Sequence, residues 1–144
     1  MARFVGNQRL TIDIKGRLVL PARYRAHFGA EAYVTPYEDG CLAIWTVDEF
    51  NRQLDEQESV IHRSVDVDRR LRKYNVHSVQ VDIDKQGRFV LPLSMRTPFG
   101  LGEEVVVAGN RDHLEIWSIE RFDAMVADLD IFNEPIASTV GNQA

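Results

Sequence analysis

Apolar and polar residues alternate in two short stretches, one near the start of each half of the chain. The apolar members are Leu10, Ile12 and Ile14 in the first stretch and Val79, Val81 and Ile83 in the second. A period of two residues is typical of a half-buried β-strand, because successive side chains of a strand point to opposite faces. We therefore predict a strand in each stretch, with these apolar residues on its buried face.

Each predicted strand runs directly into a turn and a return strand. The turns, residues 13–16 and 84–87, combine an aspartate, which can hydrogen-bond nearby N–H groups, with a glycine, which permits positive φ. The return strands are "RLVL" and "RFVL". Short helices follow in "PARYRAHF" and "PLSMRTPF", because proline fits a first helical turn, and Pro98 should end the second helix early.

The remainder of each half predicts another strand pair and a helix. The strands are "AYVTPY" and "CLAIWT" in the first half and "EEVVVAG" and "HLEIWS" in the second. Residues 46–49 have the spacing of a capping box, and Ser118 with Glu120 begins the equivalent helix. A further helix is predicted from about Asp66 to Asn75. Its solvent-facing basic residues are Arg69, Arg70, Arg72 and Lys73.

The two halves repeat one sequence pattern. Residues 13–25 and 84–96 align with seven identities in thirteen positions. After one inserted residue the match resumes through Trp45 and Trp117, which we interpret as equivalent core residues. The period is too long for a solenoid repeat. We therefore predict two copies of one compact module in an α+β, β-rich fold.

The repeat also predicts how the chain is divided. The modules occupy residues 5–50 and 77–122, and a helical bridge at 51–76 joins them. Residues 123–144 contain the end of the C-terminal helix and a flexible tail from about Phe132.

Positive charge is concentrated around the two motifs, although the chain of 144 residues has a net charge of −5. Residues 1–25 carry six basic side chains against one acid, and residues 69–96 carry seven against two. The blocks 26–68 and 97–144 are strongly acidic. Because the local field decides where a polyanion docks, this segregation favours a nucleic-acid surface over simple solvation of charged faces.

The side chains present argue against catalysis and against a bound cofactor. The histidines are scattered, and none has metal-ligand spacing with another histidine or with Cys41; they are His27, His62, His77 and His113. The sequence has no phosphate-binding loop and no hydrolase or zinc-protease motif. Cys41 is predicted to be a buried free thiol. No apolar run is long enough to span a membrane. We predict a cytoplasmic protein with no metal, cofactor, membrane partner or small-molecule substrate.

The spacing Asp-x-x-x-Arg at the two turns is the most informative feature. Arg17 and Arg88 follow tight turns, from which a guanidinium can reach phosphate or the N7 and O6 atoms of guanine. Lys15 and Lys85 add positive charge beside them. These four residues are the predicted DNA contacts.

The same spacing also fits a purely structural role for the aspartates and arginines. Asp13 could pair with Arg17, and Asp84 with Arg88, only to brace each turn, where Gly16 and Gly87 supply the conformational freedom. The two roles can coexist, because an aspartate that orients an arginine also preorganises it for contact with DNA.

The doubled motif D-x-K-G-R, followed by apolar residues, proline and arginine, resembles the MraZ family of bacterial transcriptional regulators. The resemblance covers nearly the whole chain and implies two pseudo-symmetric AbrB-like swapped-hairpin modules that form one intertwined β-barrel-like core with flanking helices. It also implies a ring-like homo-oligomer, association with the nucleoid, and binding to short direct repeats ahead of the division and cell wall gene cluster that contains the protein's own gene. The second copy departs from the motif because Gln86 stands where the first copy has Lys15.

The leading hypothesis is a sequence-specific repressor that binds double-stranded promoter DNA. The alternative is a protein-interaction module, antitoxin-like or a scaffold, whose arginines bind acidic protein surfaces. The operator, the number of subunits and activation at other promoters stay open. Five further arginines could contact DNA or brace the fold, namely Arg3, Arg9, Arg23, Arg25 and Arg96.

Overall fold

The computed structural model describes residues 2–60 and 64–128, which form a strand-rich α+β structure. The strands of this part are β1 Asn7–Thr11, β2 Arg17–Val19, β3 Glu31–Pro36, β4 Leu42–Trp45, β5 Val79–Asp82, β6 Arg88–Val90, β7 Glu104–Asn110 and β8 His113–Ser118. The helices are α1 Ala22–Arg25, α2 Val47–Val60, α3 Val65–Val76 and α4 Ile119–Ala127, with 3-10 turns at Glu38–Gly40, Leu93–Met95 and Thr97–Phe99. The tail predicted from about Phe132 lies outside the described residues, as does His62.

Six strands form one antiparallel sheet in the order β1-β7-β8-β4-β3-β5. The return strands β2 and β6 do not join it, because they pair with each other as a separate antiparallel ribbon. This leaves β1 and β5 as the two edges of the sheet. The barrel-like core that the resemblance implied is therefore not closed within residues 2–60 and 64–128.

The large sheet joins the first half of the chain, β1 to β4, to the second half, β5 to β8. β1 pairs with β7, and β5 pairs with β3, so each half lends its first strand to the other. The equivalent strands β4 and β8 meet at the centre, where Leu42 is opposite Ile116 and Ile44 is opposite Leu114. Neither return strand forms a ladder with the strand that precedes it in the sequence: β2 does not pair with β1, and β6 does not pair with β5. Only the turn that links each of these strands to the next is formed by residues close in sequence.

The main core lies between the inner face of the sheet and the ribbon of β2 and β6. Leu18 and Phe89 are opposite each other on the ribbon and are buried in one cluster with the sheet residues Ile44 and Leu114. Burial of each such side chain contributes roughly 1.5–3 kcal/mol relative to exposure. One face of the ribbon is thereby fixed on the core, and its other face is exposed.

The opposite face of the sheet is covered by α2 and α4. Trp45 packs with Phe50 of α2, and Trp117 packs with Phe122 of α4, so both predicted core tryptophans are buried. Cys41 is a buried free thiol in the same layer, as predicted. Burial raises the pKa of this thiol, and the carboxylate of Glu115 adds to the effect, so Cys41 stays protonated and unreactive.

Hydroxyl caps fix the starts of the helices. Thr46 Oγ1 accepts a hydrogen bond from the N–H of Glu49 at 3.2 Å, and Ser118 Oγ accepts one from the N–H of Arg121 at 3.1 Å. The bridge helix α3 lies within one residue of its predicted bounds. No helix in the described part of the chain is long and apolar enough to cross a membrane.

Candidate nucleic-acid interface

The turn of the first motif, residues 13–17, is called tip 1. Asp13 Oδ1 accepts hydrogen bonds from the N–H groups of Lys15 and Arg17, both at 2.9 Å. Asp13 Oδ2 accepts from Arg17 Nε at 2.7 Å. Gly16 has φ +80°, in the left-handed region that glycine enters at little cost. The aspartate therefore holds both the loop and the arginine that follows it.

The turn of the second motif, residues 84–88, is called tip 2 and has the same geometry. Asp84 Oδ1 accepts from the N–H groups of Gln86 and Arg88 at 2.9 Å, and Oδ2 accepts from Arg88 Nε at 2.7 Å. Gly87 has φ +79°. Gln86 occupies the place that Lys15 has in tip 1, yet the loop is the same. Only the backbone N–H of this residue donates to the aspartate, so its side chain does not affect the loop.

These hydrogen bonds keep both aspartates ionised. The backbone N–H of Arg17 has the largest effect and lowers the pKa of Asp13 below its ordinary value; desolvation opposes this, and the hydrogen bond from the Arg17 guanidinium lowers the pKa further. The backbone N–H and then the guanidinium of Arg88 lower the pKa of Asp84 in the same way. Because both pairs are partly exposed to solvent, we assign them to orientation of the arginine rather than to global stability.

The ion pairs use only one side of each arginine. Within the described residues, the hydrogen bonds of the Arg17 and Arg88 side chains come from Nε alone. The two side chains keep 34% and 36% of their surface exposed. Each guanidinium is therefore held by its aspartate and keeps terminal N–H donors for a bidentate contact. The ion pair braces each turn, and the terminal nitrogens of the arginine donate no hydrogen bond within the described residues.

Both arginines lie on the exposed face of the ribbon. Arg17 is opposite Val90, and Arg88 is opposite Val19, while the alternate side chains point into the core. The major groove of B-DNA is wide enough for a two-stranded β-ribbon. The fold therefore brings together on one surface two arginines that are far apart in the sequence.

Lys15 and Lys85 are exposed at the ends of the tips, and neither forms a salt bridge with any residue that the structure describes. An Asp–Arg pair carries no net charge, so the net positive charge of each tip comes from its lysine. The two lysines occupy different places in the loop, because Lys85 is one position further from the glycine than Lys15.

Ile14 departs from the predicted strand pattern. β1 ends at Thr11, and the side chain of Ile14 is fully exposed in tip 1 instead of lying on a buried strand face. The reason is local, because Asp13 captures the next N–H groups and turns the chain before the strand can continue. The sequence repeat indicates that this position need not be apolar, since Ile14 aligns with the polar Lys85 rather than with Ile83.

Two arginines without an assigned role lie directly beside the tips. Arg25, at the end of α1, packs against Gly87 of tip 2, and Arg96 packs against Gly16 of tip 1. The sequence shows that Arg25 and Arg96 are equivalent, but it contains no signal that each contacts the other half. Of the other unassigned arginines, Arg23 lies over the ring of Tyr24 at 4.7 Å.

A separate polar cluster is buried on the helix-covered face of the sheet. His113 Nδ1 lies 2.7 Å from Asp112 Oδ1, and His113 Nε2 lies 2.9 Å from Glu115 Oε2. Glu115 also accepts hydrogen bonds from Trp117 Nε1 and Asn110 Nδ2, each at 3.0 Å. Burial raises the pKa of Glu115, but these hydrogen bonds outweigh it and leave the pKa below its ordinary value.

The sequence did not predict this cluster, although the repeat marks its position. His113 and Glu115 stand where the first half has Cys41 and Ala43, so only the second half places polar side chains in this layer. No three acidic, histidine or cysteine side chains of the described ranges are arranged to hold a metal ion. The cluster is part of the sheet packing and is separate from the tips.

Comparisons with known proteins agree on one family. The family model described as "MraZ protein, putative antitoxin-like" matches residues 3–71 and 76–141. A curated relative from Ligilactobacillus salivarius, named transcriptional regulator MraZ, is 34% identical over 137 residues, which are 95% of this chain and 96% of the relative. Relatives with the same name from Desulforamulus reducens and Limosilactobacillus reuteri are 32% and 34% identical, over 95% and 86% of this chain and 96% and 88% of their own. None of these names describes an enzyme. With both halves matched by the family model and the relatives covered almost end to end, the chain belongs to the MraZ family.

Proposed function

We propose that this protein is a sequence-specific regulator of transcription that binds double-stranded DNA through the exposed face of the β2–β6 ribbon. The observation that carries the proposal is the presence of Arg17 and Arg88 on that one face, each oriented by its own aspartate. The relatives' name, transcriptional regulator MraZ, supports the regulatory role.

In this mechanism the ribbon enters the major groove and the four cations divide the contacts. Arg17 and Arg88 offer paired N–H donors to guanine N7 and O6 or to phosphate. Lys15 and Lys85 act as point charges on phosphates, which adds affinity without reading sequence. The aspartates restrict the arginine rotamers before binding, so less side-chain entropy is lost when DNA is bound.

The tips are proposed to belong to two pseudo-symmetric AbrB-like swapped-hairpin modules, residues 5–50 and 77–122, joined by the bridge 51–76 and followed by 123–144. The reciprocal pairing of β1 with β7 and of β5 with β3 supports this division. The pairing of β2 with β6 supports it as well, because equivalent strands meet there as they would in a dimer of single modules.

The proposed target is a set of short direct repeats ahead of the division and cell wall gene cluster that contains the protein's own gene. We expect repression of that cluster by a cytoplasmic, nucleoid-associated protein. One pair of tips makes few contacts, so a ring-like homo-oligomer that binds several repeats together would gain affinity through effective concentration.

A second candidate function is a protein-interaction module whose arginines bind an acidic protein surface. The antitoxin-like description of the family model favours it, and so does the net charge of −5, which opposes general attraction to nucleic acid. A mobility-shift titration with DNA from upstream of the protein's own gene, with and without excess random competitor, separates the two functions. A shift that resists competitor supports the regulator, and the lack of any shift at low salt supports the interaction module.

The same titration with Arg17→Ala tests the proposed contact. The affinity should fall by about 1–3 kcal/mol if Arg17 reads a base. If Arg17 instead contacts phosphate, the slope of log affinity against log salt should flatten by about one unit. Arg69→Ala, an exposed arginine of α3, makes the same change of charge away from the ribbon and should leave binding unchanged. Unchanged binding by Arg17→Ala would remove this residue from the site.

A further inference from the structure

Arg25 and Arg96 occupy equivalent places after the two return strands, and both reach across to the other half of the chain. We infer that these two arginines are positioning residues, each of which holds the tip of the opposite half in the orientation needed for DNA recognition. The recognition part of this inference rests on the function proposed above. The contacts themselves are a property of the protein without DNA.

Tip 1 is held by a chain of contacts from the second half. The carbonyl of Gly16 accepts a hydrogen bond from the N–H of Leu91 at 2.9 Å. The carbonyl of Leu91 accepts from Arg96 Nε, also at 2.9 Å. The Arg96 guanidinium then lies against Gly16, because a Cβ at that position would be 3.0 Å from Nη2. Arg96 thus contacts tip 1 directly and also through Leu91.

Tip 2 shows the same chain of contacts with the halves exchanged. The carbonyl of Gly87 accepts from the N–H of Leu20 at 2.9 Å, and the carbonyl of Leu20 accepts from Arg25 Nη2 at 3.0 Å. A Cβ on Gly87 would overlap Arg25 Nε and would lie 2.7 Å from Cζ. Arg25 Nε is buried and has no hydrogen-bond acceptor among the described residues. The packing of Arg25 on the glycine is therefore close enough to exclude even a methyl group.

This arrangement fixes the two tips relative to each other. Each tip is bonded to the strand end of the other half, so neither can tilt without displacing the arginine that supports it. The separation and direction of Arg17 and Arg88 along a groove are consequently set by Arg25 and Arg96. Site geometry of this kind needs supporting residues whose own positions are locked by packing and hydrogen bonds.

Lysine distinguishes positioning from charge alone. A lysine at either position keeps the positive charge but has no planar guanidinium. It therefore cannot donate to the carbonyl and pack flat on the glycine at the same time. A matched control exists at Arg121, whose Nη1 donates to the Gly40 carbonyl at 2.8 Å and whose guanidinium packs on that glycine, which has φ +77°. Arg121 lies in the first turn of α4, and it packs on neither Gly16 nor Gly87.

The first measurement uses the full chain without DNA. Arg96→Lys, Arg25→Lys and Arg121→Lys are labelled with ¹⁵N at glycine and arginine only, and TROSY spectra report the glycine amides and the arginine Nε–Hε groups. We expect Arg96→Lys to shift Gly16 and Arg17 more than Gly87 and Arg88. Arg25→Lys should do the reverse, and Arg121→Lys should move neither tip. Shifts that are larger at the tip of the same half, or no shifts at either tip, would overturn the inference.

The second measurement compares affinity for upstream DNA with affinity for random DNA. Arg96→Lys and Arg25→Lys should each lower the ratio of upstream-DNA affinity to random-DNA affinity by about tenfold, which is near the lower end of the discrimination that one bidentate base contact provides. The slope of log affinity against log salt should stay unchanged. A normal ratio in variants with displaced tips would overturn the positioning role. So would loss of the fold in these conservative variants and in Arg96→Gln, because the arginines would then serve general stability. If the wild-type protein binds no DNA, the proposed function fails, whereas the spectra still decide whether the halves support each other's tips.

Discussion

Asp13 and Asp84 have two opposed effects on a surface proposed to meet a polyanion. Each carboxylate orients an arginine and closes a loop through backbone N–H groups. Each also cancels one positive charge, so binding that depends only on charge is weakened. The arrangement favours selectivity over affinity, because non-specific binding depends on net charge and base reading depends on side-chain geometry.

Replacement of Asp13 by asparagine should separate these two effects. Asp13→Asn removes the negative charge. It also leaves only one acceptor oxygen in the side chain, which cannot serve both the backbone N–H groups and Arg17 Nε as the two carboxylate oxygens do. We expect higher affinity for random DNA and a lower ratio of specific to random binding, measured by fluorescence anisotropy at several salt concentrations. Asp82→Asn, at an exposed position of β5, makes the same change of charge without touching a tip. Equal effects of the two variants on the ratio would contradict the orienting role of Asp13.

The pH dependence of the tips follows from the lowered pKa values of Asp13 and Asp84. A carboxylate whose folded pKa lies below its unfolded value stabilises the fold above the unfolded value, and this contribution is lost as the pH falls through the folded pKa. The tip hydrogen bonds should therefore persist at pH 3.8, the ordinary aspartate value, and be lost below it. Carboxyl ¹³C titration should place both midpoints below 3.8. A midpoint at or above that value for either residue would show that its loop is not held as described.

Among the elements, the ribbon of β2 and β6 depends on glycine at two turns for two separate reasons. Gly16 and Gly87 have positive φ, and each also packs on an arginine from the other half. An added Cβ would lie 3.0 Å from Arg96 Nη2 at Gly16 and would overlap Arg25 at Gly87. The contact at Gly87 is the closer of the two, because it involves the middle of the Arg25 side chain as well as its end.

Alanine at these glycines should destabilise the protein in a defined order. The left-handed conformation alone costs a residue with a Cβ about 1–2 kcal/mol, and displacement of the arginine adds to that. Gly87→Ala should therefore lower the free energy of unfolding more than Gly16→Ala, as measured by urea denaturation. Gly29→Ala is the control, since its Cβ would have no neighbour within 4 Å among the described residues and its φ is not positive. It should be neutral or slightly stabilising, and an equal loss in all three variants would contradict the account.

The sequence could predict most elements but not their partners. Alternation, aspartate-glycine turns and hydroxyl caps are local signals, and the strands and the longer helices follow them closely. The short helix predicted after β6 is instead two 3-10 turns, and Pro98 lies inside the second of them. The pairing of β1 with β7 links residues such as Leu10 and Val105, and alternation is compatible with many partners at that separation. The same limit applies to the contacts of Arg25 and Arg96, which depend on how the two halves meet. The prediction that Ile14 lies on a buried strand face was wrong, because the hydrogen bonds of Asp13 form a turn there. One more apolar residue in the alternating pattern does not outweigh them.

In the whole molecule, the sheet separates the proposed recognition surface from a buried polar cluster that serves stability. The ribbon covers one face of the sheet, and the cluster of His113, Glu115 and their partners lies under the helices on the other. Changes to the cluster should alter stability without altering recognition, provided that the protein is folded during the measurement.

Glu115→Ala tests this separation. Removal of the carboxylate leaves the donors of Trp117 and Asn110 and one nitrogen of His113 without their acceptor in a buried site. Each buried donor left without an acceptor costs about 1–3 kcal/mol, so the free energy of unfolding should fall by several such contributions, to be measured by urea denaturation at neutral pH. The loss should shrink as the pH falls below 4.5 and the lowered pKa of Glu115 is approached, because the wild type then loses the same contribution. Glu104→Ala, exposed on β7, should change little. A change of DNA selectivity in folded Glu115→Ala would contradict the separation.

The proposed function requires the two tips to form a single DNA-binding surface. The double variant Arg17→Ala with Arg88→Ala, compared with each single variant, tests this requirement. The measurement is the competitor-resistant affinity of each protein for DNA from upstream of its own gene, at one fixed salt concentration. We predict that each single variant binds more weakly and that the double variant keeps only salt-sensitive, non-specific binding, while its unfolding curve stays close to that of the wild type. Wild-type selectivity in the folded double variant would contradict the account.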